Sequence, residues 1–191
     1  MKFLKPIFFL TLLTSLFASC SKDEGFDPFE QFEKEKPMIA SYVEHNYPNM
    51  EYNDTTGIHY EIIEPGTQDS YEYKIVDTVD YYGNATQYIK VPTVTVRYTG
   101  KLITDNTVFD SNQSEKGMQA ELSGLISAWQ IAFLPQSIED FEIGGLTKKG
   151  LQIGSKIRIV TPSYYAYGNR PSAKIPANSP LFFEIEVVDI K

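Results

Sequence analysis

The sequence has one cysteine, Cys20, and two histidines, His45 and His59, in 191 residues. One cysteine cannot form an intramolecular disulfide, and neither histidine has a partner at the spacing of metal ligands. The sequence also lacks a Gly-x-Ser-x-Gly nucleophile elbow and a glycine-rich phosphate loop followed by Lys-Ser/Thr. We therefore expect no bound metal, no cofactor and no hydrolase triad.

Basic residues are also few, because 17 Lys and Arg stand against 25 Asp and Glu, for a formal net charge of -8. Nucleic acids are bound largely through Lys and Arg contacts to phosphate. The charge balance therefore argues against nucleic acid as a partner.

The N-terminal apolar stretch is too short to cross a bilayer, which takes roughly 20 apolar residues. Residues 7–13 are mostly apolar, Lys2 and Lys5 precede them, and small residues follow at Ala18 and Ser19. A positive start, a short apolar run and small residues before a polar stretch are typical of a secretory signal. We predict a lipoprotein signal peptide at 1–19, the alternative being a buried N-terminal helix.

Cys20 stands directly after Ala18 and Ser19, an arrangement that resembles the bacterial lipobox, although Phe17 replaces the usual small aliphatic residue. A lone cysteine in an exported chain needs a chemical role. We expect lipidation of Cys20 to hold the chain in the cell envelope, at the periplasmic face or outer surface of the outer membrane. The polar stretch 21–25 resembles a surface-export signal, or is an ordinary linker.

A short helical segment is predicted next, within a tether region at 20–54. Asp27 suits a helix cap, Pro28 suits the first helical position, and Glu30 has the spacing of a capping box. Pro37 predicts two short helices or one kinked helix. A buried stripe is predicted for the residues at helical spacing after it, Ile39, Tyr42 and Val43.

From Thr55 the hydrophobic period changes to two, which is typical of half-buried strands. Strands are predicted at 58–62, 71–75, 88–91, 94–98, 155–160 and 181–190, with a hairpin turn at 82–84 and a helix within 122–133. Many strands with one short helix favour an α+β domain with a mostly antiparallel sheet, which we place at 55–191.

Five sequence elements in this region resemble the FKBP family of peptidyl-prolyl cis-trans isomerases. They are VTVRYTGKL at 94–102 with VFDS at 108–111, LISAW at 125–129, IGSK at 153–156, PSYYAYG at 162–168 and IPANSPLFFEI at 175–185. Their order matches that of the family, and the signature region covers 94–188. The resemblance implies a twisted antiparallel half-barrel wrapped around one short helix.

The same resemblance implies a hydrophobic pocket and a set of site residues. Trp129 would form its floor, and the walls would be Phe109, Tyr167 and Phe183. The backbone N–H of Ile126 and the Tyr167 hydroxyl would hold substrate carbonyls. The implied catalytic set is Tyr98, Phe109, Asp110, Ile126, Trp129, Tyr167 and Phe183, with Leu125 in substrate binding.

The function implied is isomerisation of X-Pro bonds in exported polypeptides. This reaction breaks no bond, so it needs no nucleophile and no metal, in keeping with the residues that are missing. An alternative is a non-catalytic FKBP-like binding module or chaperone subunit on the cell envelope. A third interpretation is a structural surface lipoprotein in which the pocket aromatics are all packed core.

Four segments depart from the family pattern. Ala128 replaces a glycine before Trp129, and 118–124 is shortened, so that one pocket wall has no assigned residue. The link at 131–149 is longer than usual and would be a flap or a partner-binding patch, with Gly144 and Gly145 as a hinge or a spacer. The tyrosine-rich stretch 68–92 would be a decorative β-extension or a binding surface.

Overall fold

The computed structural model describes residues 26–191, and this range contains two α-helices and eleven strands. The helices are α1 (Pro28–Asn46) and α2 (Ser127–Phe133), with 3-10 turns at Leu122–Gly124 and Ser163–Tyr165. The strands are β1 (Glu51–Asn53), β2 (Ile58–Pro65), β3 (Ile75–Val79), β4 (Ala85–Ile89), β5 (Thr93–Leu102), β6 (Val108–Asn112), β7 (Met118–Glu121), β8 (Ser137–Ile138), β9 (Phe141–Glu142), β10 (Ser155–Thr161) and β11 (Leu181–Ile190). The predicted signal 1–19, Cys20 and the stretch 21–25 lie outside the described residues.

Seven of the strands in residues 26–191 form one antiparallel sheet in the order β1-β2-β10-β11-β5-β6, with β7 also paired to β5. β6 and β7 share one edge of β5, β6 along its second half and β7 along its first half. The antiparallel sheet beside one short helix confirms the predicted FKBP-like α+β fold. β1 joins this sheet although it precedes residue 55, where the sequence predicts the domain to begin.

The sheet has a helix on each face. Neighbouring residues of a strand point to opposite faces, and in β11 Phe183 belongs to the main core around α2 whereas Phe182 packs with α1. β5 alternates strictly, with the residues at 94, 96, 98, 100 and 102 buried. The buried face of β5 and the face of β11 that carries Phe183 therefore pack against α2.

α1 is one uninterrupted helix, so the prediction of two short helices is wrong. Asp27 caps it by accepting from the backbone N–H groups of Phe29 and Glu30, while the Glu30 carboxylate pairs with Lys34. The helix continues through Pro37 because its buried stripe is held on the sheet by Ile39, Tyr42 and Val43. No described helix has the length and apolarity needed to span a membrane.

The stretch 68–92 contains the predicted hairpin, but the bounds predicted for its first strand, 71–75, are wrong. The strand begins at Ile75 and not at Tyr71, because the Tyr71 backbone N–H donates to the Gln152 side chain instead of to a neighbouring strand. β3 and β4 pair only with each other among the described strands. The turn between them exposes Tyr81 and Tyr82, which are 96% and 84% exposed.

The long link after α2 folds onto the C-terminal end of that helix. The Leu146 N–H donates to the Ile131 carbonyl and the Leu151 N–H to that of Phe133. Gly145 is buried, and a Cβ there would overlap the Leu134 carbonyl oxygen. Gly145 is therefore needed for close backbone packing, which argues against a freely moving hinge at this position.

Candidate active site

Trp129 lies near the centre of the buried face and is 4% exposed. α2 carries it, and the predicted helix 122–133 is divided into the 3-10 turn and α2, with Leu125 and Ile126 in extended conformation between them. Its indole Nε1 is buried and has no hydrogen-bond partner among the described residues. A buried donor without a partner is unfavourable, so packing of the indole has to offset this cost.

Two aromatic rings contact Trp129 and a third contacts one of these two, so that four residues form the aromatic cluster of Tyr98, Phe109, Trp129 and Phe183. The Trp129 ring lies edge-on to Tyr98 at 5.2 Å and to Phe183 at 5.6 Å between centroids. Phe109 contacts Phe183 edge-on at 5.6 Å. Phe183 is 3% exposed and Phe109 is half-buried, so the cluster reaches the surface on the Phe109 side.

Gly100 allows these rings to approach β5. A Cβ at this position would lie 2.5 Å from Phe109 Cζ and 3.0 Å from Phe183 Cε1. A glycine inside a strand often marks a close approach of this kind. Any larger residue at position 100 would displace at least one ring of the cluster.

A polar rim adjoins the aromatic cluster. The Tyr98 hydroxyl donates to Asp110 Oδ2 at 2.6 Å. Burial, this hydrogen bond and the negative charge of Asp110 raise the pKa of the Tyr98 hydroxyl, in that order of importance. Burial and, to a lesser extent, the charge of Asp110 also raise the pKa of the Tyr167 hydroxyl. Both phenols are therefore protonated, and can donate hydrogen bonds, at neutral pH.

Ile126 and Leu125 stand at the N-terminal end of α2. Both are half-buried and pack against the main core. The Ile126 carbonyl accepts from the Trp129 N–H, which ties the backbone at 126 to the floor residue. The Ile126 N–H itself donates to no acceptor within residues 26–191. This leaves a backbone donor available for a bound carbonyl group.

Ala128, the departure next to Trp129, is completely buried in the main core. Its methyl group therefore packs into the interior. The shortened stretch 118–124 forms β7, which pairs with the first half of β5, followed by the 3-10 turn.

Two residues of this region are absent from the predicted site. Gly100 could have been found from its place in an alternating strand. Glu35 is 2% exposed on α1 and accepts hydrogen bonds from Ser163, in the segment that carries Tyr167. The signal for Glu35 was its position one helical turn before Ile39, on the buried stripe.

Solved structures with a similar fold include FkpA from Escherichia coli, with a TM-score of 0.57 and 23% sequence identity. The match covers 86% of this chain and 62% of that one. A peptidyl-prolyl cis-trans isomerase from Pseudomonas syringae gives a TM-score of 0.55 and 23% identity, over 87% of this chain and 98% of that one. These likenesses define the class of fold.

The family follows from the sequence match. Residues 86–188, more than half of the chain, match the model described as FKBP-type peptidyl-prolyl cis-trans isomerase. The chain belongs to this family.

Curated relatives match over part of their length. FK506-binding protein 4 of Chaetomium thermophilum is 33% identical over 100 residues, which are 51% of this chain and 17% of that protein. A peptidyl-prolyl cis-trans isomerase of Saccharomyces cerevisiae is 32% identical over 111 residues, 57% of this chain and 23% of that one. The chain thus spans only about a fifth of these relatives' length.

Proposed function

We propose that this protein is a peptidyl-prolyl cis-trans isomerase that acts on X-Pro bonds of polypeptide clients at the aromatic cluster. Membership of the FKBP-type family supports the reaction class. The observation that carries the proposal is the contact of Trp129 with Tyr98 and Phe183, with Phe109 packed on Phe183. Beside this cluster lie the hydrogen bond from Tyr98 to Asp110 and an Ile126 N–H that has no acceptor within residues 26–191.

The chemistry requires only that a twisted amide be bound more favourably than a planar one. Rotation about a peptide bond meets a barrier of about 18–20 kcal/mol, because the twist breaks amide resonance. The planar amide is charge-separated and the twisted amide is less so. Apolar surroundings around the Trp129 ring would therefore disfavour the planar form relative to the twisted one.

The polar groups have a separate task in this proposal. A prolyl ring would rest against the exposed side of the aromatic cluster, next to Phe109. The Ile126 N–H and the Tyr167 hydroxyl would each donate to a substrate carbonyl and hold the chain on either side of the rotating bond. Every ~1.4 kcal/mol of difference in stabilisation changes the rate tenfold, so a few such contacts suffice.

A proline-limited refolding reaction tests this function directly. The purified protein should accelerate the slow phase of a client whose native state needs an X-Pro isomerisation. Trp129→Phe and Phe109→Ala should each reduce kcat/KM while the variants remain folded by circular dichroism. An unaccelerated slow phase would refute the proposal, and full activity in both variants would show that the site lies elsewhere.

We further propose that the chain is a bacterial lipoprotein, with the signal at 1–19 and an acyl anchor on Cys20 in the cell envelope. The lipobox-like sequence and the lone cysteine support this. Two or three acyl chains would anchor durably, where one gives only marginal binding. Labelled palmitate should be incorporated in a Gram-negative host and should vanish in Cys20→Ala. Equal labelling of both, or of neither, would refute the anchor.

A specific observation favours client binding without catalysis as a second candidate function. A cleft of about 750 Å³ lies between the 69–75 segment and the long link after α2, and its lining includes Tyr71, Tyr73, Ile138 and Lys149. It shares no lining residue with the aromatic cluster. If client binding rather than isomerisation is the function, Tyr71→Ala should weaken suppression of client aggregation while Trp129→Phe leaves it intact.

A further inference from the structure

Glu35 is a buried carboxylate on α1, on the face of the sheet opposite to Trp129. It is 2% exposed, although acidic side chains are seldom fully buried. No Lys, Arg or His in residues 26–191 forms an ion pair with it, so its partners are neutral donors. Burial of such a group without a counterion is costly and has to be offset by its hydrogen bonds.

Those hydrogen bonds converge on Ser163. The Ser163 backbone N–H donates to Glu35 Oε2 at 2.8 Å, and the Ser163 hydroxyl donates to Glu35 Oε1 at 2.5 Å. Gln31, one turn earlier on α1, donates to the same Oε1 at 2.7 Å. Glu35 therefore holds both the backbone and the side chain of one residue that is 128 positions away.

Ser163 in turn organises the turn that carries Tyr167. Its carbonyl accepts from the Ala166 N–H at 2.9 Å and from the Gly168 N–H at 2.8 Å. These two residues flank Tyr167 directly. A continuous set of hydrogen bonds thus runs from α1 through Ser163 to both sides of a residue of the candidate site.

We propose that Glu35 is a positioning residue for the isomerase site: it sets the place of the Tyr167 hydroxyl through Ser163. This role rests on the proposed function and extends its site. α1 lies before residues 86–188, which match the family, and would nevertheless contribute Glu35 to the site. An apolar residue at position 35 would serve helix packing equally well. The carboxylate adds a double acceptor that fixes one loop geometry.

The decisive variants change the acceptor and keep the volume. Glu35→Leu removes the two hydrogen bonds from Ser163 and the one from Gln31, and leaves an apolar side chain on the buried stripe. Glu35→Gln keeps an acceptor for the Ser163 N–H and can donate to the Ser163 oxygen, so it serves as the conservative rescue. Ile39→Val is the matched control, because Ile39 is equally buried on the same stripe and its apolar side chain, packed with Val160 and Phe182, offers no acceptor to Ser163.

Two readouts are needed, activity and local amide exchange. Glu35→Leu should lower kcat/KM on the order of tenfold, and should speed hydrogen exchange at 163–168 in the full chain. Glu35→Gln should restore most of both, and Ile39→Val should change neither in the folded protein. Ser163→Ala, which keeps the N–H bond, should fall between wild type and Glu35→Leu.

The outcomes separate this inference from the function on which it rests. An active wild type with equal activity and equal exchange in Glu35→Leu would overturn the positioning role and leave the isomerase function standing. A loss in Glu35→Leu no greater than that in Ile39→Val would overturn it too. A wild-type protein that accelerates no prolyl isomerisation would overturn the function, and the positioning role with it.

Discussion

Gly100→Ala is the substitution for which the structure makes the sharpest prediction. Gly100 has no positive φ, so alanine fits the backbone of β5 without strain. Its methyl group would lie 2.5 Å from Phe109 Cζ and 3.0 Å from Phe183 Cε1, whereas ordinary contacts are at 3.4–4 Å. At least one ring must therefore move by about 1 Å, because an interior packed as densely as a crystal has no free space for the added methyl group.

The ring that moves should be Phe109. Phe183 is enclosed at 3% exposure, while Phe109 is half-buried and can swing toward solvent. Overpacking of a core usually costs about 1–3 kcal/mol, and relief by a partly exposed ring favours the lower end. Replacing glycine also removes entropy from the unfolded chain, which returns about 0.4–1 kcal/mol. We expect a net loss in the free energy of unfolding of less than about 1 kcal/mol.

The loss of activity in Gly100→Ala should be far larger than the loss of stability. A displacement of about 1 Å at a binding surface can cost on the order of 100-fold in rate, so Gly100→Ala should lose about 10- to 100-fold in kcat/KM. The assay is proline-limited refolding, beside urea unfolding of the same sample. Gly124→Ala is the control, because its added Cβ meets nothing within 4 Å. Full activity in Gly100→Ala would refute the assignment of Phe109 to the site.

Three further substitutions test the rim, the pH dependence and the helix on the opposite face. Tyr98→Phe removes the 2.6 Å bond to the exposed Asp110 and should lower the free energy of unfolding by roughly 1 kcal/mol in urea titrations; no change would show that the bond is not formed in solution. Burial lowers the pKa of His59, so the unfolded chain binds a proton at higher pH than the folded one, and stability should fall as pH drops through the ordinary value of 6.5. His59→Gln should flatten that fall relative to wild type; parallel curves for His59→Gln and wild type would contradict the assigned burial effect. Ile39→Ala should cost about 2–5 kcal/mol in the same titrations, and a cost under ~0.5 kcal/mol, as for a surface change, would show that α1 is not packed on the sheet.

The strands that sequence reasoning located best are β5 and β11. The predicted strand 181–190 coincides with β11, which begins with an apolar run that is buried on both faces. The predicted strand 94–98 lies within β5, where strict alternation is visible in the residues themselves. Tyr71 and Tyr73 show the same alternation and form no strand. Their backbone and side chains bond to Gln152 and Leu151, partners that lie far away in the sequence.

The predictions for α1 also separate into one that depends on near neighbours and one that depends on distant residues. The cap at Asp27 was predictable because it is a local hydrogen bond within three residues. The continuity of α1 through Pro37 was not, because it depends on the sheet surface that receives Ile39 and Val43. Local propensity favoured a break, and tertiary packing outweighed it.

The candidate site was located by family resemblance and not by periodicity. Trp129, Phe183 and Tyr98 each read equally well as ordinary core residues in the sequence alone. Their edge-on contacts to one another, and the bond from Tyr98 to Asp110, join residues from α2, β5, β6 and β11. Roles in binding and catalysis remain predictions for the variants above.

By itself, the sequence determined the α+β class, the alternating strands, the family and the residues from which a prolyl site would be built, because each depends on patterns among near neighbours or on ordered motifs. Only the tertiary structure decided which side chains meet. Glu35 and Ser163 are 128 positions apart and bond directly, and Gly100 is needed because two rings from other strands close over it. Contacts of this kind arise from how layers pack, and no local pattern of residues specifies them.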